Sequence, residues 1–200
     1  MKNINFVLLL LFVPSILNAS WQLKKDKNDI KVYTSQKEGS RILQYKVETT
    51  LNSNYLDIYA QVVDFKDNLK FLTTVSQLDI VKSIPDSLYQ TFMLLDTPWP
   101  LLDRELRTQM LVSKTDKEVV LKSSSIELKD LPVKENHVRI EDFYEIWQIA
   151  KVNDEQSTVT VTGSADPAGN IPAWIANLFL VDEPYEFMLG IKTTVEKPVE

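Results

Sequence analysis

Few side chains in this sequence have the chemistry of a catalyst. It contains no cysteine, which excludes thiolate nucleophiles, disulfides and Cys-based metal sites. It contains one histidine, His137. A zinc site needs several His or Cys ligands at tight spacing, so no metal is expected. His137 sits among Glu135, Asn136 and Arg139. A general base needs a nucleophile or substrate beside it, and this polar neighbourhood predicts a surface histidine instead. Glu141 and Asp142 are adjacent; on a strand they would face opposite sides and could not form a catalytic dyad. Four glycines in the whole chain argue against a glycine-rich phosphate loop. No catalytic residue and no cofactor is predicted.

Two residues around a proline-rich stretch are sharper. Arg104 stands between Asp103 and Glu105. Such an arginine either forms a local ion pair that pins a loop or offers its planar fork to a ligand's polar group. The ion pair is the favoured expectation. Arg107 and Arg139 could play the same polar role on weaker grounds. Trp99 lies between Pro98 and Pro100, which restrict its backbone. It could dip into a membrane interface, but the bulk of a tryptophan favours packing onto a sheet.

The composition is that of a globular chain, with 200 residues, 44% hydrophobic and 25% charged. The net charge is −6 and no long basic run exists, so the footprint of a nucleic-acid binder is missing. The N-terminus has its own pattern. Lys2 precedes an apolar run from Phe6 to Val13, broken by Pro14, with Ala19 before Ser20 and Trp21. That run is shorter than the roughly 20 residues a spanning helix needs. Residues 1–19 therefore read as a signal peptide and 20–200 as one domain, periplasmic or secreted. Losing residues 1–19 makes the chain one unit more negative.

The elements that must position these residues alternate in kind. Ile30–Tyr33 and Ile42–Val47 read as a hairpin turned at Gly39-Ser40. Tyr55, Ile58, Tyr59, Val62 and Val63 have helical spacing behind an Asn54 cap, and a second short helix is expected over Asp67–Phe71. Six strands follow, at Gln77–Ser83, Leu88–Leu95, Glu105–Ser113, Glu118–Ile126, Val138–Lys151 and Ser157–Ala165. Their tight connections predict antiparallel pairing. A helix is expected from Ile171-Pro172 onward, interrupted by Pro184 near Val181–Glu183. Strands and helices segregated in this way indicate an α+β fold.

Three stretches carry a resemblance to the START domain family, the lipid-transfer branch of the helix-grip, Bet v 1-like superfamily. They are Trp21-Gln22-Leu23 with Asp29-Ile30-Lys31-Val32-Tyr33, the run Thr97-Pro98-Trp99-Pro100-Leu101-Leu102-Asp103-Arg104-Glu105, and Asp166-Pro167-Ala168-Gly169-Asn170-Ile171-Pro172-Ala173-Trp174. The chain is similar to that family from about Trp21 to Thr194, as a secreted bacterial member. The resemblance implies a curved antiparallel sheet wrapped around a long C-terminal helix, with an internal apolar cavity between them. It implies a lipid, sterol or phospholipid as partner, carried or sensed in the cell envelope, with transient membrane contact possible. The expected lining is Met93, Met110 and Trp147 from the strands and Trp174, Leu178, Phe179 and Met188 from the helix, with Arg104 at a polar cavity end. Two rivals stand beside this reading. One is a helix-grip enzyme acting on a hydrophobic small molecule, marked by convergent titratable groups in the cavity. The other is an envelope interaction factor whose cavity is vestigial.

Overall fold

The computed structural model describes residues 20–36, 43–126, 132–168, 171–172, 175 and 178–196, with the side chain of Leu178 excepted. The expected signal peptide, the Gly39-Ser40 turn, Trp174 and the side chain of Leu178 lie outside the described residues. Among the described residues, ten strands form one sheet. In chain order they are β1 (Gln22–Lys27), β2 (Ile30–Gln36), β3 (Leu43–Leu51), β4 (Val75–Ile84) and β5 (Leu88–Leu95). Then follow β6 (Asp103–Lys114), β7 (Glu118–Ser125), β8 (His137–Arg139), β9 (Phe143–Lys151) and β10 (Ser157–Ala165). The spatial order is β1-β2-β3-β10-β9-β7-β6-β5-β4, with β8 attached to β6. The main ladders are antiparallel; the β6–β8 pair is parallel.

Two departures from expectation have physical reasons. β1 has no hydrophobic alternation, since QLKKDK is almost wholly polar and exposed. It is an edge strand, where charge blocks unwanted pairing with other chains. The stretch expected as one strand over Val138–Lys151 is two. It breaks at Ile140–Asp142 because Ile140 donates its N–H to the Glu105 carbonyl, 3.0 Å away, which holds β8 to β6 while β9 pairs with β7 and β10. Glu141 and Asp142 therefore sit in an exposed bend and not on a strand.

Helix α1 (Tyr55–Val62) starts where expected. The Asn54 side chain accepts from the Leu56 N–H at 2.9 Å, and Tyr55, Ile58, Tyr59 and Val62 are buried on one face. The short α2 (Phe65–Asn68) and a 3₁₀ turn (Leu69–Phe71) follow. Asn68 joins the two helices: its amide donates to the carbonyls of Gln61 and Val62 at 2.8 and 3.0 Å. The Val62 carbonyl is one of the groups a helix end leaves without an intrahelical partner; that of Gln61 also accepts from the Asp64 N–H at 3.0 Å.

The C-terminal segment runs through a π-helical turn at Leu178–Asp182 into α3 (Glu183–Val195). Pro184 lies in the first turn of α3. Proline has no N–H to donate back into a preceding turn, so the interruption expected near Val181–Glu183 takes the form of a π turn. Ile171 and Pro172 are not helical. Buried Tyr185, Met188, Gly190 and Ile191 form the inner face of α3.

Candidate ligand cavity

The concave face of the sheet and the C-terminal helix do not meet everywhere. Between them lies a cavity of about 780 Å³, within the roughly 300–1,000 Å³ of small-molecule sites. Strand alternation decides which residues face it. On β6 these are Arg104, Leu106, Thr108 and Met110; on β5, Thr91, Met93 and Leu95; on β9, Phe143, Glu145 and Trp147. The helical wall carries Phe179, Leu180, Pro184, Phe187 and Met188. Val62 of α1, with Phe65 and Asn68 of α2, adds one end. Of the residues expected as lining, the structure brings Met93, Met110, Trp147, Phe179 and Met188 together around this one space.

Arg104 also lines the cavity and is almost fully buried. Its hydrogen bonds do not run to its acidic neighbours. Nε donates to the Pro167 carbonyl at 3.0 Å, Nη2 to the Ala168 carbonyl at 3.2 Å, and Nη1 to the Leu102 carbonyl. The expected ion pair is thus corrected: the fork clamps the β5–β6 connection to the loop after β10 through backbone carbonyls. Burial pulls the Arg104 pKa below its ordinary value, and the Asp103 charge pulls the other way.

Arg107 and Arg139 do not line the cavity. Both lie near Glu105, which alternation turns to the opposite face from Arg104 and which is fully buried. The Arg139 fork holds a Glu105 oxygen at 2.6 Å, the Lys134 N–H donates to the other oxygen at 2.8 Å, and Arg107 Nε lies 3.7 Å away. This cluster fastens β8 to the sheet and removes both arginines from the headgroup role. His137 is half-buried on β8 rather than on the open surface, with Nδ1 2.7 Å from the Glu135 carbonyl.

Trp99 overturns an expectation. It is 90% exposed and does not pack on the sheet. Leu102 nearby is 51% exposed. Asp103 accepts from the Thr97 N–H at 2.8 Å, which closes the loop at its base and leaves Trp99 at its tip.

Sequence reasoning missed Glu145. Its carboxyl accepts from the Tyr45 hydroxyl through Oε1 and from the Trp147 indole N–H through Oε2, the latter at 2.8 Å. Burial pushes the Glu145 pKa above its ordinary value, against the two donors. Burial, with Glu145 beside it, pushes the Tyr45 phenol well up. The contact exists because of a glycine. Tyr45 on β3, Gly163 on β10 and Glu145 on β9 are in register across three adjacent strands. Two strand spacings, about 9–10 Å, separate the outer pair. A Cβ on Gly163 would stand 2.6 Å from the Tyr45 ring, so only glycine lets that ring cross. The signal was present in the alternation: Glu145 is in phase with buried Trp147 and Ile149, and Gly163 with buried Val161. An acid on a core face and a glycine inside a strand both mark special positions.

The same architecture occurs in solved structures. A STAR-related lipid transfer protein fragment from Xanthomonas axonopodis matches with a TM-score of 0.75 and 23% identity, over 88% of this chain and 98% of that one. Human StAR-related lipid transfer protein 5 matches at 0.72 and 15%, over 88% and 86%. The fold is the START fold. It is shared by the Zhui aromatase/cyclase from Streptomyces, at a TM-score of 0.58 and 7% identity over 80% of this chain and 97% of that one. By sequence, the chain is 26% identical over 181 residues to the uncharacterized protein PA1579 of Pseudomonas aeruginosa, covering 90% of this chain and 89% of that protein. No protein-family profile matches. A START fold puts the large sheet and the C-terminal helix around one interior, which is where the cavity of this chain lies.

Proposed function

We propose that this protein binds one apolar molecule, such as a lipid, sterol or phospholipid, between its sheet and its terminal helix, and carries it within the bacterial cell envelope. The cavity is the observation that carries the reading. Its wall is mainly apolar, and the Met, Leu, Phe and Trp side chains in it adapt to varied apolar shapes. Each buried methylene contributes about 0.8 kcal/mol, so a sixteen-carbon chain gains about 13 kcal/mol before the cost of association, which is roughly 4 kcal/mol or more. The remainder corresponds to about micromolar binding. The lipid-transfer proteins of like fold support the same reading, and the N-terminal apolar run supports export. Trp99 and Leu102, displayed on one loop, suit brief contact with a membrane interface, from which the ligand is collected.

A second reading has one observation in its favour. Glu145 and Tyr45 are titratable groups that converge in the cavity, and a cyclase shares the fold, so an enzyme acting on a hydrophobic small molecule is the rival. Native mass spectrometry after incubation with vesicles of envelope lipids separates the two. Carriage predicts a stoichiometric mass increment of unchanged lipid, acquired more slowly by Trp99→Ser. A protein that gains no mass, or releases a chemically altered molecule, refutes it.

A further inference from the structure

Glu145 has acceptor capacity left over. An ionised carboxylate accepts about four hydrogen bonds; Tyr45 and Trp147 supply two. The indole N–H can only donate, and burial keeps the Tyr45 phenol protonated, so both partners treat Glu145 as an acceptor. Among the described residues, no Lys, Arg or His nitrogen stands within ion-pair distance of it. A carboxyl on an apolar wall is costly unless its remaining lone pairs are met. Glu145 lines the cavity, so those lone pairs are within reach of whatever the cavity holds.

The surroundings are arranged for this group. Gly163 is what allows Tyr45 to reach it. In the same register row, Ser123 and Met110 continue the floor beyond it. Arg104 also lines the cavity, but its hydrogen bonds are committed to backbone carbonyls.

We infer that Glu145, held by Tyr45 and Trp147, seats a hydrogen-bond donor of the ligand, a hydroxyl or ammonium group on an otherwise apolar body. The assignment rests on the proposed binding function and narrows its ligand class. Tyr45 is a positioning residue in it. An anionic head group such as a free carboxylate is disfavoured, because like charges in a low-dielectric cavity repel. A purely structural Glu145, tying β3 to β9, would show no such discrimination.

Calorimetric titration at neutral pH tests this on protein purified after expression of the full chain. The probes are 1-dodecanol below its solubility limit, and dodecylammonium and dodecanoate below their micelle concentrations. The alcohol and the ammonium should bind about tenfold tighter than dodecanoate. In Glu145→Gln, which keeps the shape and removes the charge, the preference for ammonium over dodecanoate should fall to within about threefold. Tyr45→Phe should reduce that preference in the same direction. Equal binding of the three probes, tightest binding of dodecanoate, or an unaltered preference in a folded Glu145→Gln overturns the assignment and leaves lipid carriage standing. If no probe binds while the protein still takes up envelope lipid in native mass spectrometry, this assignment falls and carriage stands; if neither is taken up, both fall. Should neither variant fold, the wild-type order of the three probes decides.

Discussion

A carboxyl on the concave face of a sheet persists only if its desolvation is offset by donors, and Glu145 has two. Burial is still the dominant influence on its pKa, which is raised from an ordinary 4.5. The folded protein therefore holds this proton more tightly than the unfolded chain does. The sign follows by linkage: the group's contribution to stability is fully present below about 4.5 and is lost as pH rises through the higher folded value. Lipid-stripped wild type should thus gain thermal stability relative to Glu145→Gln as pH is lowered from 8 towards 5. Asp67 and Asp86, whose pKa values are lowered by hydrogen bonds from Lys70 and Lys114 respectively, push stability the opposite way in acid. They are present in both proteins and cancel in the difference. A difference in melting temperature that stays flat or shrinks on acidification would show that Glu145 is not held above its ordinary pKa.

At the scale of elements, a second glycine is informative. Gly190 lies in the middle of α3, where alanine would ordinarily be better by roughly 0.5–1 kcal/mol. Here a Cβ would stand 2.3 Å from Cγ of the Phe71 ring. That is the root of the ring and not a flexible tip, so the 3₁₀ turn would have to shift. Overpacking of this kind costs about 1–3 kcal/mol and outweighs the helix preference. Gly190→Ala should be less stable than wild type in urea unfolding; a stabilised variant would mean that Phe71 does not pack on α3. Such contacts explain what could be read from the sequence and what could not. Local rules sufficed for α1, with its Asn54 cap and one-sided apolar face, and for β5 and β10, bounded by turn residues. They were silent on β1, whose pairing rests on its neighbour and not on its own pattern. They also ran β8 and β9 together, because the break depends on a carbonyl about thirty-five residues away in sequence. Trp99 was misjudged for a related reason. Its size argues for burial, but the Asp103–Thr97 hydrogen bond closes the loop beneath it.

At the scale of the whole molecule, the described residues surround an interior that their side chains do not fill, and a core substitution can reveal this. Met93 lines the cavity from β5. In a close-packed core, Met→Trp would force neighbours off their rotamers and cost about 1–3 kcal/mol. For a protein of this size that lowers the melting temperature by roughly 2–12 °C. Facing a cavity of about 780 Å³, the indole has space to enter, and its added apolar contact offsets what strain remains. Lipid-stripped Met93→Trp should therefore melt close to wild type, while the fraction of protein carrying lipid in native mass spectrometry falls several-fold. Both readouts are needed, since loss of lipid alone could reflect a damaged fold. The opposite pair of results, a large drop in melting temperature with lipid loading unchanged, would place Met93 in packed core and the ligand elsewhere. Carriage needs a space reserved at the expense of packing, and this substitution measures whether the space has been reserved at Met93.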